Sequence, residues 1–296
     1  MTGSAPEAAP PDLAAPGGDP MARLSLNSQT CRRLDLDQII EVAATAGLLS
    51  IGVWRRLFDT VGVEAAAARI TDAGLTVSTL CRGGFLSARD PDERAAGLAD
   101  NRRAIDEAAT LGTRELVMVV GGLPAADRDL KAARGRVIDG IAELVPYALD
   151  AGVRLALEPL HPMYCADRAV LSTLGQALDW AAPYPAEAVG VTVDTFHIYW
   201  DPDVEASIAR AGRVGRIASY QVCDFNLPIA PDALESRGMM GDGVINFAEL
   251  THAVAATGYG REVEVEIFNA EIWARDGADV VAEMQDRYAT LVAPYL

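Results

Sequence analysis

Short β-rich runs alternate with longer Ala- and Leu-rich runs from Arg23 to the end of the chain, and this alternation restricts the possible folds more than any other feature. Several of the longer runs end in glycine, as helices commonly do. Eight βα units in series, with no second composition class, predict an α/β fold in which one parallel sheet closes on itself as a single (β/α)8 barrel. The predicted strands cover 24–29, 49–55, 76–82, 114–121, 154–160, 189–196, 217–225 and 261–268.

The first residues of the chain differ in composition from the rest. Residues 1–22 are crowded with Pro, Ala and Gly and offer no periodic apolar face, which predicts a flexible, disordered N-terminal tail. Residues 23–296 are predicted to form the barrel, because roughly 250 residues is a usual length for one. A doubly wound open sheet is the structural alternative, but no GxGxxG motif follows the first strand, as a dinucleotide site would require.

Charge and composition disfavour several kinds of partner and chemistry. Asp and Glu outnumber Lys and Arg by 42 to 25, for a formal charge of −17, so the average surface repels nucleic acid and anionic membranes. Lys131 is the only lysine and lies in a predicted helix, which disfavours Schiff-base chemistry. The cysteines show no CxxC spacing, and neither a signal peptide nor an apolar run of ~20 residues is present, so we expect a cytoplasmic protein.

Four consecutive predicted strands each place one oxygen ligand at the same end of the barrel. Side chains alternate faces along a strand, so Glu158, Asp194, Gln221 and Glu266 point inward at the carboxyl ends of strands five to eight. Three converging carboxylates repel one another unless a cation neutralises them. Pairing with arginines is the structural alternative. The all-oxygen set predicts one divalent metal ion, with Mn²⁺ favoured and Mg²⁺ and Co²⁺ as alternatives.

The same four strand ends carry the segments LALEPLHP, TVDTFH, SYQVCDF and EVEIFN, with which the chain resembles the xylose isomerase-like TIM barrel superfamily of sugar isomerases and epimerases. This superfamily includes D-tagatose 3-epimerase and inosose dehydratase. The resemblance implies Glu158, Asp194, Gln221 and Glu266 as the metal ligands, in agreement with the alternation argument. One position departs from the pattern, because the epimerases usually have His where this chain has Gln221.

Further candidates lie just past the predicted strand ends. His161 and His197 each follow a ligand by three residues. His197 resembles the family's contact to substrate oxygens, and His161 is a candidate substrate contact that acts as a proton shuttle or supports a ligand. Arg237 resembles a family arginine that contacts substrate, and it lies in the unusually long connection 226–245. A hydrogen-bonded structural role is the alternative for each. The remaining predicted substrate contacts are Trp54, Arg82, Phe85 and Asn27.

The resemblance implies a metal-dependent isomerase or epimerase of a sugar or keto-sugar. Glu158 and Glu266 would exchange protons with the carbon next to a carbonyl, through a metal-stabilised enediolate, while His197 and Arg237 hold hydroxyls. A lyase that eliminates the C1 substituent of a 3-keto-glycoside, as in related C-glycoside deglycosidases, is the alternative. A non-catalytic sugar-binding barrel is another.

An endonuclease IV-like nuclease is disfavoured by the net charge and by the presence of only three histidines. The expected partners are therefore a small sugar or glycoside, a second copy of the chain in a homo-oligomer and, in the lyase reading, a small accessory subunit. Neither nucleic acid nor membrane is expected.

Overall fold

The computed structural model describes residues 19–125 and 127–296, and its centre is a closed, all-parallel barrel of eight strands. Each strand pairs with its neighbours in sequence, and the last strand pairs with the first, so the predicted (β/α)8 barrel is confirmed. The strands are β1 (Leu24–Asn27), β2 (Ser50–Trp54), β3 (Thr76–Gly84), β4 (Glu115–Val119), β5 (Arg154–Leu157), β6 (Val189–Asp194), β7 (Ile217–Val222) and β8 (Val263–Val265).

Helices between the strands form the outer layer. Asp35 and Gln38 make a reciprocal capping box at the start of the first helix, and left-handed Gly47 (φ 73°) lies just past its end. Two shorter helices, Thr195–Ile198 and Ala270–Trp273, follow strand ends directly. The outer helices are α1 (Leu36–Thr45), α2 (Val63–Asp72), α3 (Pro91–Thr110), α4 (Leu130–Asp150), α5 (Leu174–Ala181), α6 (Val204–Arg213), α7 (Phe247–Ala255) and α8 (Gly277–Leu291).

The apolar core lies between strands and helices, whereas the barrel interior is polar. Val189, Val191 and Val193 are fully buried, as the alternation along β6 predicts. At the amino end of the strands, Arg154 donates to Glu115 at 2.8 Å, and Arg261 pairs with the same carboxylate. This ion pairing closes the bottom of the barrel and leaves its opposite end for a site.

Midway up the interior, Glu264 is held by neutral groups. Alternation along the eighth predicted strand points Glu264 inward below Glu266, and from the sequence we expect such a carboxylate to form ion pairs deeper in the barrel. The Glu264 carboxylate accepts from Asn27 Nδ2 at 2.6 Å, Ser78 Oγ at 2.6 Å and Gln221 Nε2 at 3.0 Å. The sequence correctly predicts that Glu264 points inward, but the donors come from strands distant in sequence.

Most of the predicted tail lies outside the described residues. Residues 20–22, which the sequence assigns to the tail, belong to a 3₁₀ helix (Pro20–Arg23) capped by Asp19, and Tyr288 donates to the Pro20 carbonyl at 3.0 Å. Among the residues that the structure describes, no helix combines the length and apolarity needed to cross a membrane.

The amide of Asn101 fixes the turn after β3. It accepts from Gly84 N at 2.7 Å and donates to the carbonyls of Gly84 (2.7 Å) and Gly97 (2.8 Å), and it is fully buried. We predict that Asn101→Leu lowers the free energy of unfolding by about 2–4 kcal/mol, because it strands buried backbone groups. Urea unfolding measures the loss. The control Thr110→Val, exposed on the same helix, should change stability by at most ~0.5 kcal/mol, and equal effects would contradict the prediction.

Candidate active site

A cavity of about 290 Å³ opens at the carboxyl ends of the strands, where (β/α)8 barrels place their sites. It combines charged groups on its floor with aromatic walls. Seven of the residues singled out from the sequence line it, namely Trp54, Arg82, Phe85, Glu158, His197, Arg237 and Glu266.

Three buried carboxylates form the floor and the layer beneath it. Glu158, Asp194 and Glu266 are each at most 4% exposed, and ligand atoms of Glu158, Asp194 and His197 lie within 4.8 Å of one another. Burial raises the pKa of Glu158 well above its usual value, and the charges of Asp194 and Glu266 raise it further. Burial also raises the pKa of Glu266, to about 7. Burial and mutual repulsion therefore oppose ionisation of these carboxyl groups unless positive charge compensates them.

Arg237 supplies positive charge to this group. Its Nη1 donates to Asp194 Oδ2 and to Glu266 Oε2, both at 3.1 Å, and the side chain is only 2% exposed. The guanidinium lies between the rings of Phe196 and Phe268, 4.7 and 5.0 Å from their centroids. One cation thus serves two carboxylates, and Glu158 receives no hydrogen bond from a described cationic side chain.

Gln221 lies beside Asp194 in the barrel register, and its two polar atoms face different surroundings. The amide Nε2 donates to Glu264, whereas the buried Oε1 has no hydrogen-bond partner among the residues described. Three buried carboxylates accompany a single buried arginine, so their charge is not fully compensated, and Gln221 Oε1 adds a further unpaired oxygen beside Asp194. This donor set fits a divalent cation that prefers oxygen ligands.

The two histidines occupy different positions. His197 is 1% exposed, and its Nε2 lies 2.9 Å from Arg237 Nη2, while its Nδ1 accepts from the backbone N–H of His161 at 3.2 Å. Burial holds the pKa of His197 well below its usual value, so the ring is neutral. The ring of His161 packs against Tyr199 and Trp200 and does not line the cavity. The structure brings His197, and not His161, to the floor.

The other predicted contacts divide between wall and interior. Trp54 Nε1 donates to Glu266 Oε1 at 2.8 Å, so the indole orients this carboxylate as well as forming a wall. Arg82 stacks at 4.1 Å on the ring of Phe85, which is 45% exposed at the mouth. Asn27 bonds to Glu264 below the floor and does not line the cavity.

Asp224, which the sequence did not single out, anchors the long connection that carries Arg237. Residues Asp224–Phe225 pair antiparallel with Arg237–Gly238, and the fully buried Asp224 carboxylate accepts from Gly241 N at 2.9 Å and Ile245 N at 3.0 Å. Asn269 also donates to the Arg237 carbonyl at 2.8 Å. The only signal in the sequence is an acid directly after a strand end, which by itself does not reveal backbone partners.

Comparisons with known proteins agree with this architecture. A model of the xylose isomerase-like TIM barrel family matches residues 40–285. The chain is 26% identical over 220 residues to the L-ribulose 3-epimerase of Mesorhizobium japonicum, which covers 72% of this chain and 68% of that one. Protein SMc04130 of Sinorhizobium meliloti 1021 has a solved structure with 42% identity and a TM-score of 0.89, over 92% of this chain and 98% of that one. The IolI protein, solved with a zinc atom, has 20% identity and a TM-score of 0.81, over 93% and 99%.

A closed parallel barrel whose polar cavity opens at the carboxyl ends of its strands defines the class of (β/α)8 barrel proteins. Within this class, the chain belongs to the xylose isomerase-like TIM barrel family, since the family model spans all four motifs that carry the resemblance.

Substitution of Arg237 tests whether its charge stabilises the folded protein. We predict that Arg237→Met lowers the free energy of unfolding of chelator-treated protein by about 3 kcal/mol or more, because it leaves Asp194 and Glu266 buried without a cation. Thermal and urea unfolding measure the change. The control Arg275→Met, which breaks a partly exposed pair with Glu283, should have an effect near zero. Equal stability of the two variants would contradict the charge argument.

Proposed function

We propose that the protein is a divalent-metal-dependent isomerase or epimerase of a sugar or keto-sugar that moves a proton at the carbon next to a carbonyl. The observation that carries the proposal is the pair Glu158 and Glu266 at the floor of one cavity. They follow β5 and β8, and two strands lie between these in the barrel, so the carboxylates approach the cavity from different sides. Two acid–base groups on different sides of one carbon suit removal of a proton and its return elsewhere.

The relatives support this class of reaction. The matched curated proteins are an L-ribulose 3-epimerase, an inosose isomerase and a ketose 3-epimerase of Arthrobacter globiformis. Their names share the isomerisation or epimerisation of a polyhydroxylated carbonyl compound. We extend that class to this chain without assigning one of these substrates to it.

Glu158, Asp194, Gln221 and Glu266 would hold the metal ion, with His197 beside them. When bound, a divalent ion polarises a carbonyl and makes the neighbouring C–H more acidic. The unpaired Gln221 Oε1 and the predominance of oxygen donors support Mn²⁺ over Zn²⁺, with Mg²⁺ or Co²⁺ as the alternatives.

The chain's own groups have separate roles in this reaction. The Glu158 carboxylate, to which no described cationic side chain donates a hydrogen bond, would exchange a proton from one side of the substrate carbon. Glu266, oriented through Oε1 by Trp54 and through Oε2 by Arg237, exchanges a proton from the other side. Neutral His197 and the guanidinium of Arg237 hold substrate oxygens, and the ring of Trp54 packs against the C–H face of the sugar.

Elimination of the C1 substituent of a 3-keto-glycoside is the second candidate. It begins with removal of the same kind of proton and differs in the fate of the resulting electron pair. Gln221, in place of the histidine usual in the epimerases, is the observation that favours it. Release of an aglycone from a 3-keto-glycoside would distinguish it from epimerisation.

Metal dependence has a direct test. We predict about one divalent ion per chain in protein purified without chelator, because one arginine bonds to only two of the three buried carboxylates. Elemental analysis measures the content, and chelation should abolish turnover that Mn²⁺ restores. Asp194→Asn should lower metal content, whereas the exposed control Glu41→Gln should not. Protein free of metal and insensitive to Mn²⁺, Mg²⁺ and Co²⁺ would refute the proposal.

Glu266 provides the test of proton transfer. We predict that Glu266→Gln lowers kcat by more than ~10²-fold without changing the fold, because it removes a proton-exchanging group at nearly constant volume. The control Glu271→Gln, exposed shortly after it, should retain activity. A near wild-type rate of Glu266→Gln would show that another residue is the base.

Turnover in D₂O tests the same step in the wild type. An epimerised product should carry deuterium at the inverted carbon, whereas strict retention of the substrate's own hydrogen would indicate a hydride shift.

A further inference from the structure

Arginines concentrate at the mouth of the cavity, although the chain carries a formal charge of −17. Besides Arg237 at the floor, the lining includes four arginines, from the loops after β1, β2 and β5 and from the end of β3. The long connection contributes two carboxylates, Asp232 and Glu235, to the same mouth. Positive charge therefore exceeds negative charge there. The four arginines are Arg32, Arg56, Arg82 and Arg168.

Two other buried or half-buried arginines of the described chain form close ion pairs with carboxylates. Arg55 bonds to Asp100 and Glu107, and Arg154 bonds to Glu115. Both sets of partners are partly or fully buried and fix neighbouring elements. The contacts of the mouth arginines differ from these short ion pairs.

Among the described residues, no carboxylate accepts a hydrogen bond from the mouth arginines, although Arg168 Nε lies 3.7 Å from Asp167 Oδ2 in a partly exposed ion pair. The guanidinium of Arg82 makes no hydrogen bond to them and lies over the ring of Phe85 at 4.1 Å and that of Trp54 at 5.9 Å. Arg56 donates only to the Ser28 carbonyl at 3.4 Å, and its buried Nε has no partner. The Nε of Arg168 is likewise buried without a hydrogen bond. The Nη atoms of Arg82 and Arg168, which line the mouth, therefore make no hydrogen bond to a described residue.

Each of two mouth arginines lowers the pKa of a neighbouring one. Burial lowers the pKa of Arg82, and the charge of Arg168 lowers it further. Burial and then the charge of Arg32 do the same to the pKa of Arg56. Like charges held close together are stabilised by a bound anion.

From these contacts we infer that the substrate carries an anionic group, a carboxylate or a phosphate, which Arg82 and Arg168 bind at the mouth. A guanidinium matches either anion with two parallel N–H donors. A neutral sugar would leave these charges uncompensated. The inference rests on the proposed function in one respect, namely that the sugar-like part of the substrate occupies the same cavity, with its carbonyl towards Glu158 and Glu266.

Calorimetric titration of the metal-bearing full chain tests the charge preference with three unreactive six-carbon probes. D-Sorbitol is neutral, D-gluconate carries a carboxylate and D-sorbitol 6-phosphate carries a phosphate. At least one anionic probe should bind about tenfold or more tightly than sorbitol, because charge-assisted hydrogen bonds are stronger than neutral ones. Which anion binds better distinguishes the carboxylate from the phosphate.

Substitution of Arg82 and Arg168 tests whether these two residues bind the anionic group. Arg82→Gln and Arg168→Gln should each weaken binding of the preferred anion by about tenfold and leave sorbitol binding nearly unchanged. The control Arg69→Gln, in an exposed pair with Asp37, should behave as the wild type. Direct coordination of the anion to the metal ion would not respond to the arginines. A preference that survives in the double variant therefore overturns the inference, as does equal binding of all three probes by the wild type.

A further measurement on the wild type does not depend on the folding of any variant. Raising the NaCl concentration from about 50 to about 500 mM should weaken binding of the preferred anion and spare sorbitol. Salt-independent binding of the anion would overturn the inference. Failure of the proposed reaction would appear as absence of deuterium exchange, which is a different readout from the binding preference.

Discussion

The burial of three carboxylates around one guanidinium at the carboxyl ends of the strands is the constraint on which the site depends. Asp194 and Glu266 share Arg237, and Glu158 lies beside Asp194 without a described cationic partner. Removing ionised groups from water is costly, so such a cluster is stable only when its members are held in register and neutralised. The closed barrel provides the register, because the cluster extends from strand ends fixed by backbone hydrogen bonds on both edges.

The charge that neutralises these carboxylates comes from the long connection 226–245 and not from the barrel strands. Arg237 comes from that connection, and its place depends on the pairing of Asp224–Phe225 with Arg237–Gly238 and on the buried Asp224 carboxylate. Compensation of charge on the floor therefore requires the folded connection. Trp54 adds a second fixed contact, so that both oxygens of Glu266 are oriented from opposite walls.

The cavity is electrically asymmetric along its depth. Its floor collects carboxylates, which favour a metal ion and proton exchange, whereas its mouth collects arginines with few acidic partners. A small molecule with a polar carbonyl end and an anionic end would enter in one orientation only. This asymmetry is local, since it runs against the strongly negative average charge of the chain.

The sequence by itself determined the barrel, its eight strands and the inward direction of Glu158, Asp194, Gln221 and Glu266, because alternation along a strand is a local, two-residue property. Only the tertiary structure decided the partners. Glu264 was expected to form ion pairs and instead receives hydrogen bonds from Asn27, Ser78 and Gln221, and the ring of His161 packs behind the floor while that of His197 lines it. The sequence also did not predict the role of Asp224 or the presence of Arg168 beside Arg82 at the mouth. Each of these outcomes depends on distances between residues far apart in the chain, which closure of the barrel fixes and local sequence pattern does not encode.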